Sequence, residues 1–254
     1  MPDDAARRGQ RVYDRWAECD PLYAAVDRLT RSIRTTGAAA LGVGAGDSVL
    51  DLGCGPGGSL PLLADAVGTN GTAIGVDYSA GMVRAAAERA GAHPPAAAAR
   101  GDAGQLPLRD DAVDAAFASL ALSAMPAVDK VLDEVERVVR PGGRLVVVDG
   151  RVPDGAAGSA LRAMYHRLVN FRNPDVLTVL RRRFDSVTVV ESFDAGLGFV
   201  AAWTSSDTAN GNRAVVGGSA VSPRSRRRGR RSRRTPGSGG TSSLGPPAST
   251  SVAG

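Results

Sequence analysis

The 254-residue sequence predicts an α/β protein with a doubly wound, mostly parallel, seven-stranded sheet. Short apolar runs alternate with amphipathic helical patterns through the middle of the chain, which is typical of a parallel sheet with helices on both faces. Two later runs near residue 200 are joined by a short glycine-containing segment and predict a C-terminal antiparallel hairpin. Polar side chains follow several runs, at the edge where open α/β sheets bind ligands.

The first predicted strand covers residues 48–52 and leads into a glycine-rich turn. Inside a strand or a helix each of these glycines would cost stability, because glycine loses the most conformational freedom on folding. They fit a strand-to-helix turn where the backbone approaches a ligand closely, and a helix is predicted over residues 60–67. The crowded glycines are Gly53, Gly55, Gly57 and Gly58.

The ligand of this turn is indicated by the residue before it. Gly53, Gly55 and Gly58 match the G-x-G-x-x-G pattern that binds a pyrophosphate at a helix N-terminus. Asp51 would repel a pyrophosphate, but it suits a cationic ligand. S-adenosylmethionine carries an ammonium and a sulfonium and has no phosphate, so Asp51 favours it over a dinucleotide. A tight turn without a ligand is the structural alternative.

A second carboxylate ends the next predicted strand, residues 72–76. Asp77 lies 20 residues after Gly57, the spacing at which an acidic residue binds ribose hydroxyls in nucleotide-binding βαβ units. Its two oxygens can accept both ribose O–H groups. The alternative is that Asp77 caps the helix that begins near Ser79.

Further elements follow from the same patterns. The alanine-rich third strand is weak, because alanine has a low strand propensity. Residues 141–143, Pro-Gly-Gly, are predicted to end a helix before the fifth strand. The remaining helices are predicted over residues 81–90, 128–140, 158–171 and 174–183. The remaining strands are predicted over residues 96–100, 113–120, 144–148, 186–193 and 197–204.

Residues 1–40 are predicted to form an N-terminal helical cap on a domain of residues 41–204. Amphipathic patterns over residues 7–19 and 21–36 predict two helices, which glycines from Gly37 onward then interrupt. The cap is either a packing appendage or a lid whose Tyr13 and Tyr23 face a pocket.

The basic character of the chain belongs to its last 50 residues. Residues 205–254 hold nine arginines and one acidic residue, a net charge of +8, whereas residues 1–204 carry −3. This segment is rich in Ser, Gly, Pro and Arg, and it is predicted to be a disordered tail because it cannot bury enough apolar surface. Nucleic acid or an anionic surface would bind through this tail only.

Composition also bears on compartment and metals. No apolar run approaches the roughly 18 residues that a membrane span needs, and the first residues do not have the basic-plus-apolar pattern from which we would expect an export signal. Cys19 and Cys54 are far apart and predict no disulfide framework. No Cys/His cluster has the spacing of metal ligands. We therefore expect a cytoplasmic protein without a bound metal.

Four segments together resemble the class I S-adenosylmethionine-dependent methyltransferases. They are VLDLGCGPGG (49–58), GVDYS (75–79), GDAGQLPLRDDAVDAAFAS (101–119) and LDEVERVVRPGGRLVVVD (132–149). Their order and spacing are similar to the branch that includes ubiquinone- and menaquinone-biosynthesis methyltransferases. The resemblance implies a Rossmann-like methyltransferase fold with S-adenosylmethionine as cofactor.

The resemblance also implies roles for the first of these segments. Asp51 and the following turn would contact the methionine end of the cofactor. The turn residues implied in this contact are Gly53, Cys54, Gly55 and Gly57.

The later segments would hold the nucleoside and the sulfonium. Asp77 would bind the ribose, with Tyr78 beside the adenine. Asp102 and the amide of Ala103 would meet the adenine edge, and Ser119 would lie close to the sulfonium. Methyl transfer from a sulfonium is an in-line displacement, so the protein mainly aligns the reactants and excludes water.

The acceptor is predicted to be a small molecule or a lipid. Residues 120–125, Leu-Ala-Leu-Ser-Ala-Met, are apolar and small, which suggests an apolar acceptor and offers no base. His93 and His166 are the chain's imidazoles. His93 lies in a predicted surface loop, and His166 is either an acceptor-site residue or a solvated position on a predicted helix; no catalytic residue is assigned. Two other classes compete: an NAD(P)-dependent oxidoreductase, which Asp51 disfavours, and a nucleic-acid-binding protein acting through the tail.

Overall fold

The computed structural model describes residues 13–14, 20–152, 163, 172, 175–193 and 198–206. The helices are α1 (Asp20–Leu29), α2 (Arg31–Ala40), α3 (Leu60–Val67), α4 (Ala80–Gly91), α5 (Val128–Val138) and α6 (Val176–Arg183). The strands are β1 (Ser48–Leu52), β2 (Thr72–Asp77), β3 (Ala96–Arg100), β4 (Val113–Ser119), β5 (Val139–Gly150), β6 (Thr188–Phe193) and β7 (Gly198–Thr204). A short 3₁₀ turn covers Leu122–Ala124.

The seven strands form one sheet in the order β3-β2-β1-β4-β5-β7-β6. Strands β1 to β5 are mutually parallel, and β7 runs antiparallel between β5 and β6. The predicted parallel sheet with a C-terminal antiparallel hairpin is therefore confirmed. The strand order reverses direction between β1 and β4, the place where open α/β sheets bind ligands.

Helices cover both faces of this sheet, and the alternation of side chains along each strand explains why. Leu50 and Leu52 of β1 pack on one face with α5 and α6, whereas Val49 between them packs on the other face with α3. In β5, Val147 and Val148 divide between the two faces in the same way. Apolar residues at every position are typical of strands buried on both faces.

The predicted helix over residues 21–36 is wrong in its extent. It is interrupted at Thr30, and α2 then continues through Gly37 to Ala40. Gly37 is buried, and a Cβ at this position would lie 2.9 Å from the Phe117 ring and would overlap Val148. Gly37 therefore lets α2 pack closely on the sheet instead of ending the helix.

The Pro-Gly-Gly segment also differs from the prediction. Helix α5 ends at Val138 instead of residue 140, and β5 begins at Val139 instead of residue 144. Val139 pairs with Val113, and the next pair joins Arg144 to Ala115, so residues 140–143 bulge out within the strand.

Other predicted bounds shift by a few residues. Strand β4 ends at Ser119 because Leu120 has a left-handed φ of 54°. Helix α6 begins at Val176, two residues later than predicted. The predicted helices over residues 7–19 and 158–171, and nearly all of the tail, lie outside the described residues. In the described part of the chain, every helix is too short or too polar to cross a membrane.

Candidate functional site

Three polar residues lie at the carboxyl edge of adjacent strands. Asp51 lies near the end of β1, Asp77 ends β2 and Ser119 ends β4, and β1 lies between the other two strands. Asp102 follows β3, the next strand out. The parallel sheet therefore brings together the strand-end residues that the sequence singles out, as ligand sites of such sheets require.

The glycine turn after β1 has the left-handed conformation that favours glycine. Gly53, Gly55 and Gly57 have φ angles of 62°, 54° and 79°. The amides of Gly53 and Cys54 donate to the carbonyl oxygen of Val76 at 2.8 and 3.1 Å. The turn is thus fixed to the end of β2, and a side chain at the left-handed positions would be strained.

Two of these glycines also permit close approach of other segments. A Cβ on Gly53 would lie 2.9 Å from Ala121 Cβ and from Met125 Cε, in the segment after β4. A Cβ on Gly57 would lie 3.1 Å from Ala86 Cα in α4. The turn therefore packs against the segments that follow β4 and β2.

The side chain of Cys54 points away from this edge. It packs with Leu60 and Ala86, and a Cβ on Gly75 would lie 2.8 Å from its Sγ. Burial raises the pKa of the Cys54 thiol far above its usual range, so the thiol stays neutral. Cys54 can line the turn with its backbone only.

Asp77 supports the turn through both of its carboxylate oxygens. Oδ2 accepts from the amide of Gly55 and Oδ1 from the amide of Ser79, each at 2.9 Å. Burial raises the pKa of Asp77, while hydrogen bonds from the amides of Ser79, Gly55 and Tyr78 oppose that rise. Ser79 caps α4 by accepting from the Met82 amide at 3.2 Å, so Asp77 is not the cap.

Residues of the predicted cap reach the same place. The hydroxyl of Ser79 makes a short hydrogen bond to Asp14 Oδ1. Tyr13 is half-buried, whereas the side chain of Tyr23 lies outside the described part of the chain. The hypothesis of a lid stays a prediction.

Asp51 is buried and incompletely bonded. It is 1% exposed, and its Oδ2 has no hydrogen-bond partner among the described residues. Burial raises the pKa of Asp51 to about 8; the charge of Arg34 opposes this rise and that of Asp77 adds to it. An unpaired buried carboxyl is costly, which points to a ligand that completes it.

The other predicted site residues differ in their surroundings. Ser119 Oγ is buried without a hydrogen-bond partner in the described chain. Asp102 is exposed, and its Oδ1 accepts from the Gly104 amide at 2.9 Å. Ala103 is half-buried. Tyr78 is also half-buried, and its carbonyl oxygen accepts from Arg100 Nε at 3.1 Å.

The two histidines do not add a base to this edge in the described structure. His93 is exposed in the loop before β3, at the opposite edge of the sheet, where its Nδ1 lies 2.9 Å from the Arg89 carbonyl oxygen. His166 lies outside the described residues.

Sequence reasoning missed Asp149 and Arg34. Asp149, near the end of β5, is buried and accepts from the amides of Ser123 and Gly150 at 2.9 and 2.7 Å. Burial raises its pKa to about 6. It fixes the segment after β4, and the apolar run ending in a carboxylate is a signal that could have identified it. Arg34, buried on α2, has no such signal.

A family model described as a methyltransferase domain matches residues 44–189, more than half of the chain. The chain belongs to this methyltransferase family. The match begins before β1 and ends within β6, so it includes the glycine turn and the strand-end carboxylates. It confirms the family resemblance that the four sequence segments indicate.

Curated relatives of this methyltransferase-family chain include two quinone methyltransferases. The demethylmenaquinone methyltransferase of Beutenbergia cavernae is 40% identical over 165 residues, 65% of the chain and 62% of the relative. The 2-phytyl-1,4-naphtoquinone methyltransferase of Synechococcus elongatus is 40% identical over 111 residues, 42% of the chain and 48% of the relative. The chain spans about half the length of the curated relatives it matches.

A solved structure shows the same fold. A SAM-dependent methyltransferase from Aquifex aeolicus superposes with a TM-score of 0.52 at 22% identity, over 65% of this chain and 85% of that one. The predicted Rossmann-like methyltransferase fold is confirmed.

The residues at this edge fit S-adenosylmethionine. Within the described chain, Asp51 Oδ2 is a buried acceptor without a partner, which suits an ammonium, and Ser119 Oγ is a buried hydroxyl without one. Asp77 keeps acceptor capacity for a ligand, because a carboxylate can accept about four hydrogen bonds and the amides of Gly55, Ser79 and Tyr78 account for three.

Asp51→Asn should change how stability depends on pH. In the folded chain Asp51 holds its proton up to about pH 8, whereas the unfolded chain releases it near pH 3.8. The folded state binds more protons between these values, so the wild-type protein should lose stability as pH rises through this window. The variant, which cannot ionise, should lose less. Thermal unfolding of both proteins across the window tests this, and parallel curves would contradict it.

Proposed function

We propose that this chain is an S-adenosylmethionine-dependent methyltransferase that acts on a small, apolar acceptor of the quinone type. The observation that carries the proposal is the buried carboxyl of Asp51, whose Oδ2 lacks a partner among the described residues, beside a left-handed glycine turn that Asp77 supports. A dinucleotide pyrophosphate would gain nothing from that carboxyl, which disfavours the oxidoreductase alternative.

The proposed contributions of the protein are binding and alignment. Asp51 and the turn hold the methionine end, Asp77 holds the ribose, and the loop with Asp102 and Ala103 borders the adenine. When bound, S-adenosylmethionine supplies an electrophilic methyl group on a sulfonium. In this proposal Ser119 lies close to the sulfonium, and the segments around it would exclude water and align the acceptor.

The segment after β4 supports an apolar acceptor. Leu120 is 38% exposed, although it is a large apolar residue, and its left-handed φ sets it apart from β4. Its amide donates to the Val148 carbonyl at 2.7 Å, which fixes this conformation. Strained backbone of this kind is concentrated at functional sites. The names of the two relatives point to quinones as a class to test.

Binding and methyl transfer test the proposal. Calorimetry should show S-adenosylmethionine binding and no NADH binding. Radiolabelled S-adenosylmethionine should then transfer label to reduced naphthoquinones in preference to polar acceptors. Binding of NADH in place of S-adenosylmethionine would contradict the activity, and label transfer to polar acceptors alone would contradict the acceptor class.

Removal of the tail should leave the cofactor site intact. Ser205 exchanges backbone hydrogen bonds with Gly142 and Gly143, so the truncation is placed after Asp207. We expect unchanged thermal stability and cofactor affinity, because a segment of this composition has too little apolar surface to contribute to a core. Any nucleic-acid binding should disappear with the tail and should weaken steeply with salt in the full chain. An unfolded truncated protein would show that residues beyond 207 belong to the fold.

The cytoplasmic location and the boundaries of cap, domain and tail stay predictions. Fractionation of cells that produce the full chain tests the first, and limited proteolysis tests the second, since cleavage should concentrate near residues 40 and 205.

A further inference from the structure

Arg34 belongs to an ion-pair cluster around Asp27 that joins three helices next to the glycine turn. It lies on α2 and is 7% exposed. Its Nη2 donates to both the backbone oxygen and Oδ1 of Asp27 on α1, each at 2.8 Å. Arg89 on α4 lies 3.5 Å from the same carboxylate oxygen. The ion pair with Asp27 therefore holds the Arg34 guanidinium in one place.

That place is directly over the turn. A Cβ on Gly58 would lie 2.9 Å from Arg34 Nη1 and would overlap Asp27 Oδ1. Gly58 is therefore needed for the guanidinium to approach, rather than for a pyrophosphate. Arg34 is also the cation that opposes the raised pKa of Asp51, which places its charge near that carboxyl.

Two buried atoms here have opposite and unmet hydrogen-bonding needs. Arg34 Nε, a donor, and Asp51 Oδ2, an acceptor, both lack a partner among the described residues. Buried polar groups without partners are rare in proteins and costly. A ligand that carries a carboxylate and an ammonium on neighbouring atoms would satisfy both.

We infer that Arg34 and Asp51 together bind the amino-acid end of S-adenosylmethionine, Arg34 through the carboxylate and Asp51 through the ammonium. This inference rests on the proposed function. It assigns a binding residue outside every sequence motif, on a helix of the predicted cap. Asp27 is a positioning residue, because it occupies Nη2 and leaves Nε for the ligand.

Arginine suits this position better than lysine. A guanidinium has donors on several sides in a fixed plane, so one atom can hold Asp27 while another binds the ligand. A lysine ammonium is a single point charge on a flexible stem. Arg34→Lys therefore keeps the positive charge but can no longer hold Asp27 with one nitrogen while it binds the ligand with another.

The test compares two ligands that differ in the amino-acid end. S-adenosylhomocysteine carries that end and 5′-methylthioadenosine lacks it. Arg34→Lys should weaken S-adenosylhomocysteine binding by about tenfold or more, the loss of roughly one charge-assisted hydrogen bond, and should leave 5′-methylthioadenosine binding unchanged. Arg89→Lys is the matched control: it alters the same ion-pair cluster, and both affinities should persist.

Each result is decisive. Equal losses for both ligands would show a structural role for Arg34, and no loss for either would show no role; both overturn the inference and leave the proposed function standing. A wild-type protein that binds neither ligand would overturn both.

A second measurement uses the wild-type protein and so does not depend on the variant folding. Decarboxylated S-adenosylmethionine keeps the ammonium and lacks the carboxylate. It should bind about tenfold more weakly than S-adenosylmethionine, and equal affinity would overturn the assignment of the carboxylate.

Discussion

Gly55→Val is expected to abolish S-adenosylmethionine binding while the chain stays folded. Gly55 has a φ of 54°, a region that β-branched residues avoid at a cost of about 1–3 kcal/mol. Relief of that strain would rotate the Gly55 amide away from Asp77 Oδ2 and move the turn. The strain and the movement of the turn both disturb the proposed cofactor site. We therefore expect the affinity for S-adenosylmethionine to fall below the range that calorimetry can measure.

The matched control is Gly44→Val. Gly44 is exposed, and a Cβ at this position would meet no atom within 4 Å. It lies before β1, at the opposite edge of the sheet from the turn. This variant should bind S-adenosylmethionine normally, and circular dichroism should show that both variants are folded. Normal affinity in Gly55→Val would contradict the assignment of the turn.

The sheet could be predicted because its signals are local. Each buried parallel strand needs an apolar run, and each connection to a helix needs a turn, so order and type follow from the sequence. Two predictions were wrong for a different reason: that Gly37 interrupts the helix, and that Pro-Gly-Gly separates a helix from the fifth strand. Glycine weakens a helix intrinsically, but at Gly37 close packing on Phe117 and Val148 outweighs that local preference.

The strand-end carboxylates could be predicted for a geometric reason. Carboxyl ends of parallel strands lie at one edge, so Asp51 and Asp77 are neighbours in any sheet with this order. Arg34 could not be predicted, because its place depends on how α2 packs and where Asp27 holds it. The direction of the Cys54 side chain likewise depends on the path of the turn.

Asp77→Ala is expected to weaken S-adenosylmethionine binding on the order of a hundredfold or more. Two hydrogen bonds from the ribose to a carboxylate contribute about 1.5–3 kcal/mol each. The structure adds a second loss, because the same carboxylate accepts from the amides of Gly55 and Ser79 and thereby supports the turn. Titration calorimetry with S-adenosylmethionine measures the sum of the two effects.

Asp47→Ala is the matched control, since Asp47 is a carboxylate that also supports a loop but lies away from the site. Its Oδ2 accepts from the Gly44 amide at 2.9 Å, before β1 and away from the site. Its removal should lower thermal stability slightly and leave affinity unchanged. Adenosine shares the ribose but not the methionine end, so in Asp77→Ala it should show the loss of the ribose hydrogen bonds alone, a smaller loss than that of S-adenosylmethionine. The loss of one charge-assisted hydrogen bond should lower affinity by about tenfold or more. If Asp77→Ala changed neither affinity by more than about threefold, the ribose role would be wrong.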